Sequence, residues 1–322
     1  MSSLPDHKSS SDIKPFEHGF WLLLPLWARD MLILMRIDRP IGWWLLLLPG
    51  WIIMPVAARL YDIAPARLLW LMGLFWIGAI VMRGAGCIIN DIWDRDIDPL
   101  VARTSTRPIA DGRVSVFAAL VMLAVLGGIG LTVLIQLPAK AMLTGCAALP
   151  LIVIYPLAKR FTGYPQIVLG LTFAWGVFLG WAAFDIWPDM RVLWLYSAMA
   201  LWTFGYDTIY ATQDMADDIK IGIGSSALSL RNRIKASVGC VYVLVIIDLI
   251  CFAVTIDAGW GMAAAIAITG LHFFWQIRCF DENNPAMAGV LFRRNRDVGL
   301  ILTGGALIDY ALTYGMAWQM AA

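Results

Sequence analysis

Two acidic stretches carry the residue types and spacing best suited to chemistry. Asn90-Asp91-Ile92-Trp93-Asp94-Arg95-Asp96-Ile97-Asp98 runs out of one apolar segment, and Tyr206-Asp207-Thr208-Ile209-Tyr210-Ala211-Thr212-Gln213-Asp214-Met215-Ala216-Asp217-Asp218 runs out of another. On a helix, residues three and four apart share a face. Asn90, Asp94 and Asp98 then form one stripe, flanked by Asp91, while Asp207, Tyr210, Asp214 and Asp218 form a second. Crowded carboxylates repel each other unless a strong cation lies between them. Hard oxygen donors in a chain with only 3 His favour Mg²⁺ over zinc. The candidate ligands are the oxygen-bearing side chains of the two stripes, with Asp91 beside the first. Mg²⁺ held this way keeps positions for water and a phosphate, so the ligand expected at this membrane surface is a diphosphate.

The elements that position these stripes are membrane helices. The 322 residues are 60% hydrophobic and 15% charged, which excludes an ordinary soluble domain, and no nucleic-acid partner is expected. Apolar stretches of spanning length fall at 41–58, 68–89, 115–137, 139–156, 165–184, 192–212, 236–256, 259–277 and 298–317. The expected fold is all-α: nine transmembrane helices around a central cavity, with cytoplasmic cap loops. Of the 24 Lys and Arg, only Arg59, Arg67, Lys140 and Arg191 lie on one side, and Arg83 lies within a span. The positive-inside rule therefore puts the N-terminus and both acidic stretches in the cytoplasm and the C-terminus opposite. A bacterial inner membrane is the expected location. Residues 1–40 read as a cytoplasmic arm, with an interfacial amphipathic helix between Phe20 and Met35, and 41–322 as one domain. Acidic ends after spans two and six suggest two four-helix halves plus a ninth helix. The 5 Cys show no paired spacing, and Gly127, Gly128 and Gly130 read as helix-packing positions. No obligate protein partner is evident.

Further residues could serve the same site. Tyr155 and Lys159 are four apart at a helix end, followed by Arg160; Arg103 and Arg107 follow the first stripe. Guanidinium groups suit phosphate oxygens, although each of these cations also serves as a topology anchor. Arg36 and Arg39 precede the first span, where Arg36 is the favoured partner for the carboxylate of an acidic substrate. Asp96 points off the stripe, towards arginine or water. Asp248 and Asp309 lie deep in spans and have no role legible from sequence.

Asn-x-x-x-Asp-x-x-x-Asp at 90/94/98, Asp-x-x-x-Asp at 214/218, Tyr-x-x-x-Lys at 155/159 and Tyr-x-x-x-Asp at 210/214 resemble the motifs of the UbiA-type membrane prenyltransferases, across essentially the whole chain. Asn90–Asp98, Arg103-Thr-Ser-Thr-Arg-Pro108, Tyr155-Pro-Leu-Ala-Lys-Arg-Phe-Thr162 and Tyr206-Asp-Thr-Ile-Tyr-Ala211 are most similar to the branch that acts on 4-hydroxybenzoate in ubiquinone synthesis. The resemblance implies that Asn90, Asp94, Asp98, Asp214 and Asp218 bind a Mg²⁺–polyprenyl diphosphate complex. It also implies that Tyr155, Lys159 and Tyr210 hold or release diphosphate. Asp207 is the choice for polarising the phenol or taking a proton. Dihydroxynaphthoate, homogentisate or haem are alternative acceptors. A cation transporter is the alternative of another class, disfavoured because the acids cluster at one membrane face.

Overall fold

A backbone in lipid must satisfy its hydrogen bonds within each segment, so apolar runs of this length fold as helices. The computed structural model describes residues 19–100, 104–215, 219 and 224–321, and every regular element among them is helical. After a 3-10 turn at Gly19–Leu23 come α1 (Leu26–Leu34), α2 (Ile41–Leu60), α3 (Pro65–Trp93), α4 (Val116–Leu134), α5 (Ala139–Ala147), α6 (Leu149–Phe161) and α7 (Pro165–Ala174). Then follow α8 (Gly176–Ala182), α9 (Met190–Ala211), α10 (Ser226–Leu230), α11 (Ile234–Thr255), α12 (Trp260–Cys279) and α13 (Pro285–Ala321). Among the described residues, 8 stretches are long and apolar enough to cross a membrane. They match all the expected spans but one, α9, which is 22 residues long. Its Arg191 and Asp207, with several Trp, Tyr and Thr, lower its hydropathy. The chain is an all-α, polytopic integral membrane protein.

Two spans expected to be continuous are broken. Pro150 at the second position of α6 has no N–H to donate, and the chain turns at Ala148, whose N–H bonds to Gly145 O at 3.1 Å. The other break, at Trp175, separates α7 from α8. The two are braced together, since Trp175 Nε1 donates to Thr144 O at 2.8 Å.

The described residues divide into two compact units: residues up to Pro40 with Gly84–Val125, and Ile41–Arg83 with Leu126 onward. In the first, Leu34 and Met35 at the end of α1 are buried, and Met35 packs against Gly84, where a Cβ would come within 3.2 Å of its Cε. α1 closes with Arg36 N–H bonding to Ile33 O and Ile37 N–H to Leu32 O. This is the Schellman pattern, whose left-handed position glycine usually fills. Here that position is Arg36, with φ 58°, a strain of roughly 1 kcal/mol for a side-chain-bearing residue.

The core of the second unit joins α2, α8, α9, α11, α12 and α13 through residues such as Leu48, Ile52, Trp181, Trp202, Phe252 and Leu302. Inside it runs a chain of polar side chains. Trp202 Nε1 donates to Asn295 Oδ1 at 2.8 Å, Gln276 Nε2 to the same oxygen at 3.2 Å, and Tyr242 OH to Gln276 Oε1 at 3.1 Å. Buried polar groups must be paired, so these bonds fix the register of α9, α11, α12 and α13. Asp309 of α13 accepts from the N–H groups of Gly259, Gly261 and Met262 at 2.8, 2.8 and 3.1 Å. It thereby caps the N-terminus of α12. The helices touch there because Gly261 has no side chain: a Cβ would lie 2.5 Å from Gly305 O. Of the glycines expected to pack span three, Gly130 does so, against Met82 Sδ. Gly127 and Gly128 have nothing within 4 Å of a Cβ position.

Candidate active site

The first acidic stripe is not one helix face. α3 stops at Trp93, Asp94 lies in the following turn, and Asp98 opens a short 3-10 segment. The spacing nevertheless survives, because Asp94 N–H bonds to Asn90 O and Asp98 N–H to Asp94 O, each at 2.8 Å. Asp91 and Asp98 are buried, at 1% and 5% exposure. Arg36 donates from Nη2 to both Asp91 oxygens at 2.8 Å and from Nη1 to Ile33 O at 3.0 Å. Arg107 Nη1 bridges Asp91 Oδ1 at 3.1 Å and the Asp98 oxygens at 3.0 and 2.9 Å. Thr104 donates to Asp98 O at 2.9 Å, closing the loop around that residue. Asp96 is directed outward as expected, paired with Arg95 at 3.6 Å on the exposed surface.

These contacts bear on two of the expected residues. Arg36 is engaged by a buried carboxylate, and Asp91 is engaged by two guanidinium groups, one of which it shares with Asp98. The physical reason is burial: a carboxylate removed from water needs a full set of donors. Two residues beyond Arg36, Asp38 meets Arg39 Nε at 3.3 Å. Its Oδ1 is buried with no hydrogen-bond partner among the described residues. Burial pushes the Asp38 carboxyl above its ordinary pKa of 3.8, against the pull of Arg39 and Arg36. Arg113 holds the same unit together, pairing with Asp30 of α1 and with Asp111.

The second stripe is likewise interrupted. α9 ends at Ala211, and Gln213 and Asp214 sit in a turn of bonds to Tyr210 O and Ala211 O, the tightening common at helix ends. Asp207 and Tyr210 lie on α9, with the Tyr210 ring 4.3 Å from that of Phe292. Asp218 lies outside the described residues. Ser226, which opens α10, is tied down by side chains that the sequence did not single out. Gln166 Oε1 accepts from Ser226 N–H at 2.9 Å, and Thr208 and Ser226 share a hydroxyl hydrogen bond of 2.7 Å. Nothing in the spacing of these neutral residues marks them.

Tyr155 is half-buried on α6, and Lys159 and Arg160 belong to the same helix, their side chains lying outside the description. Arg103 lies outside the described residues. Among those described, no three of His, Cys, Asp and Glu come together as a preformed metal cage. The donor chemistry still fits a hard cation. The stripe offers only carboxylate and carboxamide oxygens, and Asp98 already holds a positive charge, that of Arg107.

Residues 46–296 match the UbiA prenyltransferase family. The mitochondrial 4-hydroxybenzoate polyprenyltransferase of Drosophila pseudoobscura pseudoobscura is 40% identical over 316 residues, covering 97% of this chain and 76% of its own. The enzyme of that name from Saccharomyces cerevisiae is 40% identical over 284 residues, covering 87% and 76%. Among solved structures, the apo form of a UbiA homolog from Aeropyrum pernix K1 aligns with a TM-score of 0.70 at 25% identity, over 83% of this chain and 97% of that one. A UbiA homolog from Archaeoglobus fulgidus, solved bound to GPP and Mg²⁺, shares the fold, with a TM-score of 0.62 at 17% identity over 85% and 99% of the two chains.

Proposed function

Because the chain belongs to the UbiA prenyltransferase family, we propose that it transfers a polyprenyl group from polyprenyl diphosphate to the ring of 4-hydroxybenzoate, ortho to the hydroxyl. Diphosphate is released and the product feeds ubiquinone biosynthesis. The observation that carries this reading is the 40% identity, over 97% of the chain, to a protein named for that activity.

In the reaction the allylic carbon–oxygen bond breaks, the ring carbon bonds to the allylic carbon, and the displaced ring proton leaves. Charge growing on the departing diphosphate would be neutralised by Mg²⁺ held through Asn90, Asp94, Asp98, Asp214 and Asp218. Lys159, Tyr155, Tyr210, Arg103, Arg107 and Arg160 supply further donors to the leaving oxygens. Asp207 polarises the phenol or takes its proton. With Arg36 committed to Asp91, Arg39 takes over as the partner for the acid's carboxylate. An apolar surrounding keeps water from the allylic cation.

In the same proposal, the N-terminus and the acidic motifs face the basic, cytoplasmic side of a bacterial inner membrane, with the C-terminus opposite. The two curated relatives named above are mitochondrial. Broken helices occur in cation transporters too, yet neither break here carries an ionisable residue.

The leaving-group role is tested by Lys159→Ala in reconstituted protein. Release of inorganic diphosphate should need both substrates and Mg²⁺, and should slow by roughly 10²–10³-fold in the variant. Lys159→Arg should recover part of the rate. Unchanged rates in both variants would return Lys159 to a topology anchor.

A further inference from the structure

Asp91 sits beside the proposed metal-binding residues, yet its own contacts are of another kind. Both of its oxygens face Arg36 Nη2 at 2.8 Å, and Oδ1 also takes Arg107 Nη1 at 3.1 Å. Its side chain is 2% exposed. Arg107 uses the same nitrogen for Asp98, so its Nε and Nη2 edge takes no part in the cluster. Two cations and two anions balance, and the group is neutral without any added ion. The backbone supplies an independent observation. Arg36 occupies, at φ 58°, the helix-ending position that glycine fills with least strain. Strain held at one residue points to what its side chain does, and this side chain grips Asp91.

We infer that Asp91 is a positioning residue: it holds Arg107 for the diphosphate of the substrate and locks the end of α1 through Arg36, and it is not a metal ligand. This deepens the proposed function and rests on it for the identity of the diphosphate. Arg107 then pivots on Asp91. When Asp98 turns to other partners, the guanidinium keeps one anchor and offers its remaining donors to phosphate oxygens.

The test compares Asp91→Asn with Asp94→Asn in the full-length protein in nanodiscs. Melting is followed in excess chelator, and binding of geranyl diphosphate is titrated against Mg²⁺. Asp91→Asn should lower the metal-free melting temperature by several degrees. It should also weaken geranyl diphosphate binding roughly tenfold while leaving the half-saturating Mg²⁺ concentration unchanged. Asp94→Asn should raise the Mg²⁺ requirement. An Asp91→Asn protein with unaltered metal-free melting and a raised Mg²⁺ requirement would make Asp91 a ligand and overturn the inference. If Asp91→Asn does not fold, the double variant Arg36→Gln/Asp91→Asn decides. It should melt closer to wild type than Arg36→Gln does, and additive losses overturn the inference. Failure of wild type to bind geranyl diphosphate with Mg²⁺ would instead refute the proposed function, while the chelator melts still decide whether the clamp exists.

Discussion

Asp91 and Asp309 are both buried aspartates in a membrane protein, and they are satisfied by opposite means. Asp91 is held by side-chain cations, Arg36 and Arg107. Asp309 is held by three backbone N–H groups fixed at the start of α12, where the helix dipole also favours an anion. Backbone donors cannot swing away, so Asp309 can only join α13 to α12. Guanidinium groups can exchange partners, so the Asp91 cluster can respond to a substrate. The lesson is that a buried carboxylate's donors, more than its burial, separate a fold-holding group from one serving chemistry.

Asp309→Ala should break this contrast most severely. Three buried donors lose a charged acceptor, and stability should fall by about 2–4 kcal/mol, read as a lower denaturation midpoint. Kinetics of the protein that remains folded should be unchanged. A loss of turnover with normal stability would move Asp309 into the reactive machinery.

A smaller effect separates strain from clamping at Arg36. Both Arg36→Gly and Arg36→Ala delete the clamp, but only glycine relieves the left-handed backbone. Arg36→Gly should therefore be more stable than Arg36→Ala by roughly 1 kcal/mol. Equal stabilities would mean that α1 no longer closes with a positive φ.

The smallest expected effect is at Asp38, a carboxylate whose Oδ1 lacks a partner among the described residues. Its pKa is raised by burial above 3.8, so the folded state prefers the protonated form. The stability this group contributes is full below the ordinary value and is lost as pH rises through the raised one. Asp38→Asn should accordingly raise the melting temperature at neutral pH and give no gain in acid. A gain independent of pH would assign the effect to packing.

Much of this was legible in the chain. Hydropathy located the spans because lipid enforces helices. α9 is the instructive case: it reads as a span by eye, yet Arg191, Asp207 and its aromatic residues reduce its hydropathy. The two motifs were legible from spacing, although the helices stop within them. Turn hydrogen bonds at Asp94 and Asp98 preserve the four-residue repeat without the helix. What could not be read was pairing over long distances. Arg36 reaches Asp91 across 55 positions, and an arginine in a glycine slot conceals the helix end. Asp309 had no visible partner because its partners are backbone groups of Gly259, Gly261 and Met262. Asn295 was hidden inside a run of arginines, although it is fully buried and bonded to Trp202.

Prenyl transfer to an aromatic acid is tested most directly by the mass of the product. Membranes containing the chain would be incubated with Mg²⁺, a polyprenyl diphosphate and a panel of aromatic acids, and the lipid extract analysed by mass spectrometry. Prenylated 4-hydroxybenzoate is the expected product, absent in chelator and absent with Asp94→Ala or Asp214→Ala. A prenylated product from a different acceptor, or none from wild-type membranes, would contradict it.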